Sequence, residues 1–367
     1  MNPGFTRAVA AFQHAIHRHF IWIVVSSYVV AAVLPGPGLF IRSIDFGSLS
    51  IGQARITLSL PPAMLAFLLF NAGLGVKTAE LSGLARRPWL LIAGASANVL
   101  GPLTLIVAVY AAMGLWHNPD EVQRILTGLA LVASMPIAGA STGWSQNANG
   151  NLALSLGLIL LTTICSPLLT PLVLHAVGFL TTGDYSEDLH ELASAGAGSF
   201  LGIWVILPSF LGMAANRALG EKRAALVSPY VKLANSGVLA LLNYSNASLS
   251  LPGVISYPDF DYVAVMLFIT TLLCFAMFAF GYFLARASRA GRAAAASLMF
   301  GLGMNNNGAG LVLASIELAD HPGVMLPVIF YNLVQHLVAS FVDRTVLRTM
   351  QPQPQPRPQT VEPDLQR

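Results

Sequence analysis

Three consecutive amides, Asn305, Asn306 and Asn307, stand between Gly301, Gly303, Gly308 and Gly310 in an otherwise apolar stretch. An amide in hydrocarbon is costly unless its polar atoms find partners, and flanking glycines hold a helix poorly. Non-helical backbone at membrane depth persists only where protein packs it or where it lines a watery cavity. The stretch therefore predicts a broken membrane helix that builds a binding site. A second stretch has the same character: Met135-Pro136-Ile137-Ala138-Gly139-Ala140-Ser141-Thr142-Gly143, followed by Ser145, Gln146, Asn147 and Asn149. A half-helix restarting after each break presents free N–H groups and the positive end of its dipole, which suits a carboxylate or sulfonate. The expected chemistry is reversible binding of an organic anion, with Gly139, Ala140 and Ser141 on one side and Asn306 and Asn307 on the other.

The elements that position these breaks follow from composition. With 55% hydrophobic and 10% charged residues, and a mean hydropathy of +0.67, the chain is not a water-soluble globular protein. Cys165 and Cys274 lie deep in apolar runs at no metal-ligand spacing and read as small buried hydrophobes. With no His/Asp/Glu cluster, no nucleophile–base pair and no phosphate loop, an enzyme is not expected. Roughly ten spans of about 20 residues can be drawn. They fall near 20–39, 58–76, 89–115, 125–139 (continuing brokenly to 146) and 152–174, then 200–219, 225–246, 263–284, 293–314 (broken at the asparagines) and 325–346.

Basic residues set the orientation. If the N-terminus starts in the cytoplasm, the alternate loops carry Lys77, Arg86 and Arg87; Arg217, Lys222 and Arg223; and Arg286, Arg289 and Arg292. The opposite loops hold few, and one carries Asp184, Glu187, Asp188 and Glu191 without Lys or Arg. This positive-inside pattern puts both termini in the cytoplasm, in an integral protein of a bacterial inner membrane. The organisation expected is a cytoplasmic segment 1–19, a five-helix repeat 20–178, an acidic external loop 179–199, a second repeat 200–346 and a disordered tail 347–367. Both broken spans are fourth in a set of five, and an odd number of spans inverts the second set. The fold class is thus an all-α membrane protein of ten helices in two inverted repeats, with the fourth and ninth broken.

At this point the chain resembles the bile acid:sodium symporter family. The likeness rests on Gly150-Asn151-Leu152-Ala153-Leu154-Ser155, on Cys165-Ser166-Pro167-Leu168-Leu169-Thr170-Pro171, and on Gly303-Met304-Asn305-Asn306-Asn307-Gly308 against the family's Gly-Met-Gln-Asn-Ser-Gly. Asn71-Ala72-Gly73-Leu74-Gly75 looks like a further family turn. The resemblance implies a core domain holding the two crossing broken helices and a panel domain of spans one, two, six and seven. It implies alternating access for small or amphipathic organic anions, usually coupled to sodium, with no other cofactor and no nucleic-acid partner.

The same resemblance implies cation ligands at Asn98, Ser141, Thr142 and Ser155, with Gly301, Leu302, Met304 and Asn305 across the site. Several positions depart from the family. Thr142 stands for its asparagine, Ile159 for a hydroxyl, Asn98 for a glutamine and, above all, Gly301 for a glutamate. At about 4 Å and an effective dielectric near 20, losing that carboxylate forfeits roughly 4 kcal/mol of attraction for a cation. On the tenth span the family's His-Asn pair becomes Gln335-His336; both are expected at the substrate, and His336 is the candidate proton carrier if sodium is not used. Lys232 is either a snorkelling residue or a counter-ion on the panel wall. Three alternatives stay open: a sodium-independent facilitator, a proton-coupled carrier, and a non-transporting sensor or channel. An arsenite-type carrier would need a crossover thiolate, which Ser141 and Thr142 do not supply.

Overall fold

The structure, a computed structural model, describes residues 20–51, 54–76 and 88–347. The expectations for 1–19, for the loop carrying Lys77, Arg86 and Arg87, and for most of the tail lie outside the described residues. The chain is an all-α membrane protein. Five helical stretches are long and apolar enough to cross a bilayer: Pro88–Met113, Leu152–Gly178, Ala197–Gly220, Phe260–Ala287 and Pro322–Leu347. Their outer faces carry Ile92, Leu100, Val107, Leu168, Leu172, Phe268, Leu272 and Phe341, while Asn98, Ser141, Asn305, Asn307 and Gln335 are buried. Apolar outside and amide inside is the arrangement hydrocarbon demands.

In chain order the helices are α1 (Phe20–Val33), α2 (Gly36–Ser43), α3 (Leu60–Leu74), α4 (Pro88–Met113), α5 (Pro119–Ser134), α6 (Ala140–Asn147), α7 (Leu152–Gly178) and α8 (Asp184–Glu191). They continue as α9 (Ala197–Phe200), α10 (Leu207–Ala247), α11 (Leu251–Ser256), α12 (Phe260–Ala287), α13 (Arg292–Gly303), α14 (Asn307–Glu317) and α15 (Met325–Val342).

Several elements differ from expectation. The first span is not straight: α1 and α2 meet at 95°. Pro35 and Pro37 lack N–H donors, and the bend is closed by Tyr244, whose hydroxyl donates to Leu34 O (2.6 Å) and accepts from Gly38 N–H (3.1 Å). A two-stranded antiparallel hairpin, β1 (Asp45–Ile51) and β2 (Ala54–Ser59), follows it. The segment expected as an acidic loop is largely helical. Tyr185, Leu189, Leu192 and Ala193 recur at helical spacing and are buried, so α8 and the π-turn Leu192–Gly196 pack against α7 while the acids face outward.

Spans six and seven appear as one helix, α10, broken at Gly220 with φ 74°, a left-handed conformation that glycine takes without strain. Its first half lies backbone to backbone against α3. A Cβ on Gly212 would fall 2.0 Å from Phe70 O, and one on Gly73 would fall 2.0 Å from Ser209 O. Gly73, part of the family-like turn, is therefore a packing residue.

Candidate binding site at the crossing of two broken helices

The breaks fall where the proline, glycines and asparagines place them. Helix α5 stops at Ser134 and α6 starts at Ala140; α13 stops at Gly303 and α14 starts at Asn307. Each break strips backbone groups of their intrahelical partners, and the two connectors satisfy one another. Ala138 N–H donates to Met304 O and Asn306 N–H donates to Pro136 O, both at 2.9 Å, with Ile137 and Asn305 paired as an antiparallel bridge. Two broken helices thus cross through a minimal piece of sheet at the centre of the protein.

Side chains from neighbouring helices satisfy what remains. Thr162 on α7 accepts from Ile137 N–H (3.2 Å), and the Thr170 hydroxyl donates to Ser134 O at the end of α5. Asn305 Nδ2 donates to Val132 O (2.8 Å), and the Tyr331 hydroxyl donates to Gly303 O (3.3 Å). Gln335 is the hub. Its Oε1 accepts from Asn305 N–H (3.1 Å) and Asn307 Nδ2 (3.0 Å), and its Nε2 donates to Asn332 Oδ1 (3.1 Å). Asn332 in turn donates to the Tyr28 hydroxyl on α1 (2.7 Å). Sequence reasoning missed Thr162, Thr170, Asn332 and Tyr28. The signal for the first two was present: Thr162, Ser166 and Thr170 recur every four residues and are all buried on one face of an apolar helix.

The expected substrate residues divide into two layers. Gly139 and Ala140 are exposed and Asn306 is half-buried, whereas Ser141, Asn307 and Gln335 are buried behind them. Asn306 caps α14, its Oδ1 accepting from Ala309 N–H (3.3 Å). Beyond Gly139, the nearest atom a Cβ would meet is Ala72 Cβ on α3, at 3.8 Å. Gly143, Gln146 and Asn147 are also exposed along α6, as are Lys232 and Gly237 on α10. Gly139, Ala140, Gly143, Gln146 and Asn147 thus leave one face of the polar half-helix α6 accessible beside the crossover. His336, one residue past the hub, is half-buried, and Gln335 makes two contacts to the asparagine connector.

Among the expected cation ligands, three buried oxygens have no hydrogen-bond partner: Asn98 Oδ1, Ser141 Oγ and Asn305 Oδ1. Such orphans are rare in folded proteins and invite a hard cation, which prefers oxygen. Thr142 Oγ1 and Ser155 Oγ lie 3.3 Å apart and share a hydrogen bond. Leu302 is fully buried in the core, and the Met304 carbonyl is engaged by Ala138. The side-chain neighbours of a Cβ at Gly301 would be apolar: Leu158 Cδ1 at 3.4 Å and Ile137 Cδ1 at 3.8 Å. Leu158 and Ile137 belong to a buried apolar cluster with Leu90, Leu154 and Leu298. The unpartnered oxygens of Asn98, Ser141 and Asn305 are neutral, and no carboxylate is among the expected cation ligands.

Residues 62–253 match the family model described as the Sodium Bile acid symporter family. The chain belongs to this family. The matched region includes α5, α6 and α7 but ends before α13, so the departure at Gly301 lies beyond it. Two relatives come from Bacillus subtilis (strain 168). "Uncharacterized protein YbaS" is 30% identical over 220 residues, covering 59% of this chain and 66% of that protein. "Uncharacterized sodium-dependent transporter YocS" is 34% identical over 110 residues, covering 30% of this chain and 32% of that protein.

Proposed function

We propose that the protein is a secondary carrier that moves a small or amphipathic organic anion by alternating access, with sodium dependence weakened by the glycine at 301. In this reading it lies in a bacterial inner membrane with both termini cytoplasmic. Its ten helices form two inverted repeats of five, α5–α6 and α13–α14 being the fourth of each. The observation that carries the proposal is the reciprocal backbone pairing of the two connectors, Ala138 to Met304 and Pro136 to Asn306. Paired broken helices in corresponding positions of two halves are the mark of a midplane transport site.

The anion is received at the accessible side of the crossover. The starts of α6 and α14 supply positive dipole ends, and Gly139, Ala140 and Asn306 are the accessible residues there. Gln335, Asn305 and Asn307 hold that geometry from behind. Sodium, when bound, supplies a positive charge that offsets the substrate's; Asn98, Ser141 and Asn305 are the residues whose free oxygens would hold it. The name of the relative YocS, a sodium-dependent transporter, supports a role for that ion.

The test is reconstitution. Organic anions that raise the melting temperature of purified protein are first identified by thermal shift, then assayed for uptake into proteoliposomes. Uptake should saturate with substrate, and replacing sodium by choline should change it less than tenfold. Flux that rises linearly without saturation would replace the carrier by a channel. A steep, saturable sodium requirement would show that neutral oxygens suffice for full coupling.

A further inference from the structure

A cavity of about 210 Å³ opens far from the crossover, between the end of α12 and the start of α13. Tyr282, Ala285, Arg286, Ala290, Arg292 and Ala295 line it, and no carboxylate is among them. Two arginines contribute to one lining, and no carboxylate there offsets their charge. Arg292 is held in place, its Nε and Nη2 donating to Leu347 O at 3.2 and 3.0 Å, while Nη1 and the Arg286 guanidinium have no partner among the described residues. The third wall is the beginning of α13. Gly291 provides no side-chain cap and the first turn holds no acidic residue; Ala294 and Ala295 N–H both donate to Gly291 O (3.0 Å), which leaves the N–H groups of Arg292 and Ala293 at the start of this 12-residue helix.

We infer that this cavity is a phosphate-binding site: an anionic phosphate seated between Arg286 and Arg292 at the start of α13. Guanidiniums bind phosphate through paired N–H groups, and a helix start adds backbone donors along the same direction. The setting matches a phospholipid headgroup. The turn also carries Arg289, and Phe283, 61% exposed, projects from α12 one residue beyond Tyr282. Aromatic residues beside a basic cluster mark the level of lipid headgroups. A free phosphate ion offers the same chemistry. The site is independent of substrate transport and does not rest on it.

Lipid-stripped, detergent-purified full-length protein is titrated with phosphatidylglycerol, phosphatidylcholine or inorganic phosphate, and melting is followed. Phosphatidylglycerol should stabilise the protein more than phosphatidylcholine. Arg286→Gln should weaken that effect about fivefold, the contribution of one basic residue at an anionic surface. Arg286→Lys should restore part of it. Ala290→Glu, which places a competing carboxylate in the cavity, should abolish it. If inorganic phosphate alone reproduces the stabilisation and Arg286→Gln removes it, the site stands and its occupant is the free ion. Equal shifts with both lipids, unchanged in Arg286→Gln and Ala290→Glu, would overturn the proposal.

Discussion

Replacing Gln335 by methionine keeps the length of the side chain and removes its amide. The change leaves Asn305 N–H and Asn307 Nδ2 without their acceptor and Asn332 Oδ1 without its donor. Each buried polar group left unpaired costs about 1–3 kcal/mol, but three groups on one amide are coupled and do not add. A loss of about 3 kcal/mol is expected, which for a chain of this size lowers the apparent Tm by roughly 5 °C. Gln335→Glu puts a charge at the same position. Its carboxylate still accepts both N–H groups, but it is buried and faces Asn332 Oδ1, so desolvation of the charge should make it melt no higher than the methionine variant. It also sets a negative charge behind the anion site, so it should bind the organic anion more weakly than the methionine variant does. The assays are thermal melting and anion-induced melting shifts, on the same preparations. Should Gln335→Met prevent folding, Asn332→Ala removes only the far end of the network and should cost about 1 kcal/mol. Melting within about 1 °C of wild type for Gln335→Met, with unchanged uptake, would refute the view that this hub holds the crossover.

Asn306→Ala should abolish uptake or weaken anion binding by about 1–3 kcal/mol, while expression and folding persist; wild-type binding in that variant would place the substrate elsewhere. Gly212→Val should prevent accumulation of folded protein, because its Cβ would sit 2.0 Å from Phe70 O. Gly237→Val, with nothing within 4 Å, should leave expression and melting unchanged and serves as the control.

The breaks in the fourth and ninth spans were legible because proline, glycine and amides act locally: they deny the backbone its helix whatever packs around them. The same logic was available at Pro35-Gly36-Pro37-Gly38, where the chain bends by 95°, but a span drawn on hydropathy alone ran straight through it. Helical spacing alone exposes α8, since Tyr185 and Leu189 are four apart, though charge density drew attention away from it. What could not be read was reciprocity. That Ala138 pairs with Met304, or that Thr170 satisfies Ser134, depends on which helices meet. Similarly, the choice between Gln335 and His336 is a matter of helical phase. One residue turns a side chain by about 100°, and only packing decides which of the two enters the crossover.

The apolar lining at Gly301 changes how cation and anion should depend on each other. In a site with a carboxylate, the protein balances sodium's charge and the cation binds whether or not substrate is present. On the proposed reading, the free oxygens of Asn98, Ser141 and Asn305 are neutral and Leu158 and Ile137 border Gly301, so the balancing charge would be the substrate anion's. With charges about 10 Å apart in wet surroundings of effective dielectric about 40, their attraction is about 0.8 kcal/mol, close to fourfold in affinity. Linkage makes the effect mutual: the anion should tighten sodium about fourfold, and sodium should tighten the anion equally. That size is the basis for expecting a sodium effect on uptake below tenfold. It also keeps the accumulated species neutral, sparing the roughly 2.3 kcal/mol per 100 mV that a lone anion would face on entering. Melting shifts measured over a grid of sodium and anion concentrations give the coupling directly. Gly301→Glu, made with Leu158→Ala to provide room, should raise sodium affinity in the absence of anion and remove the positive coupling. Independent binding in the unaltered protein, or coupling that survives the new carboxylate, would mean that the substrate is not sodium's counter-charge.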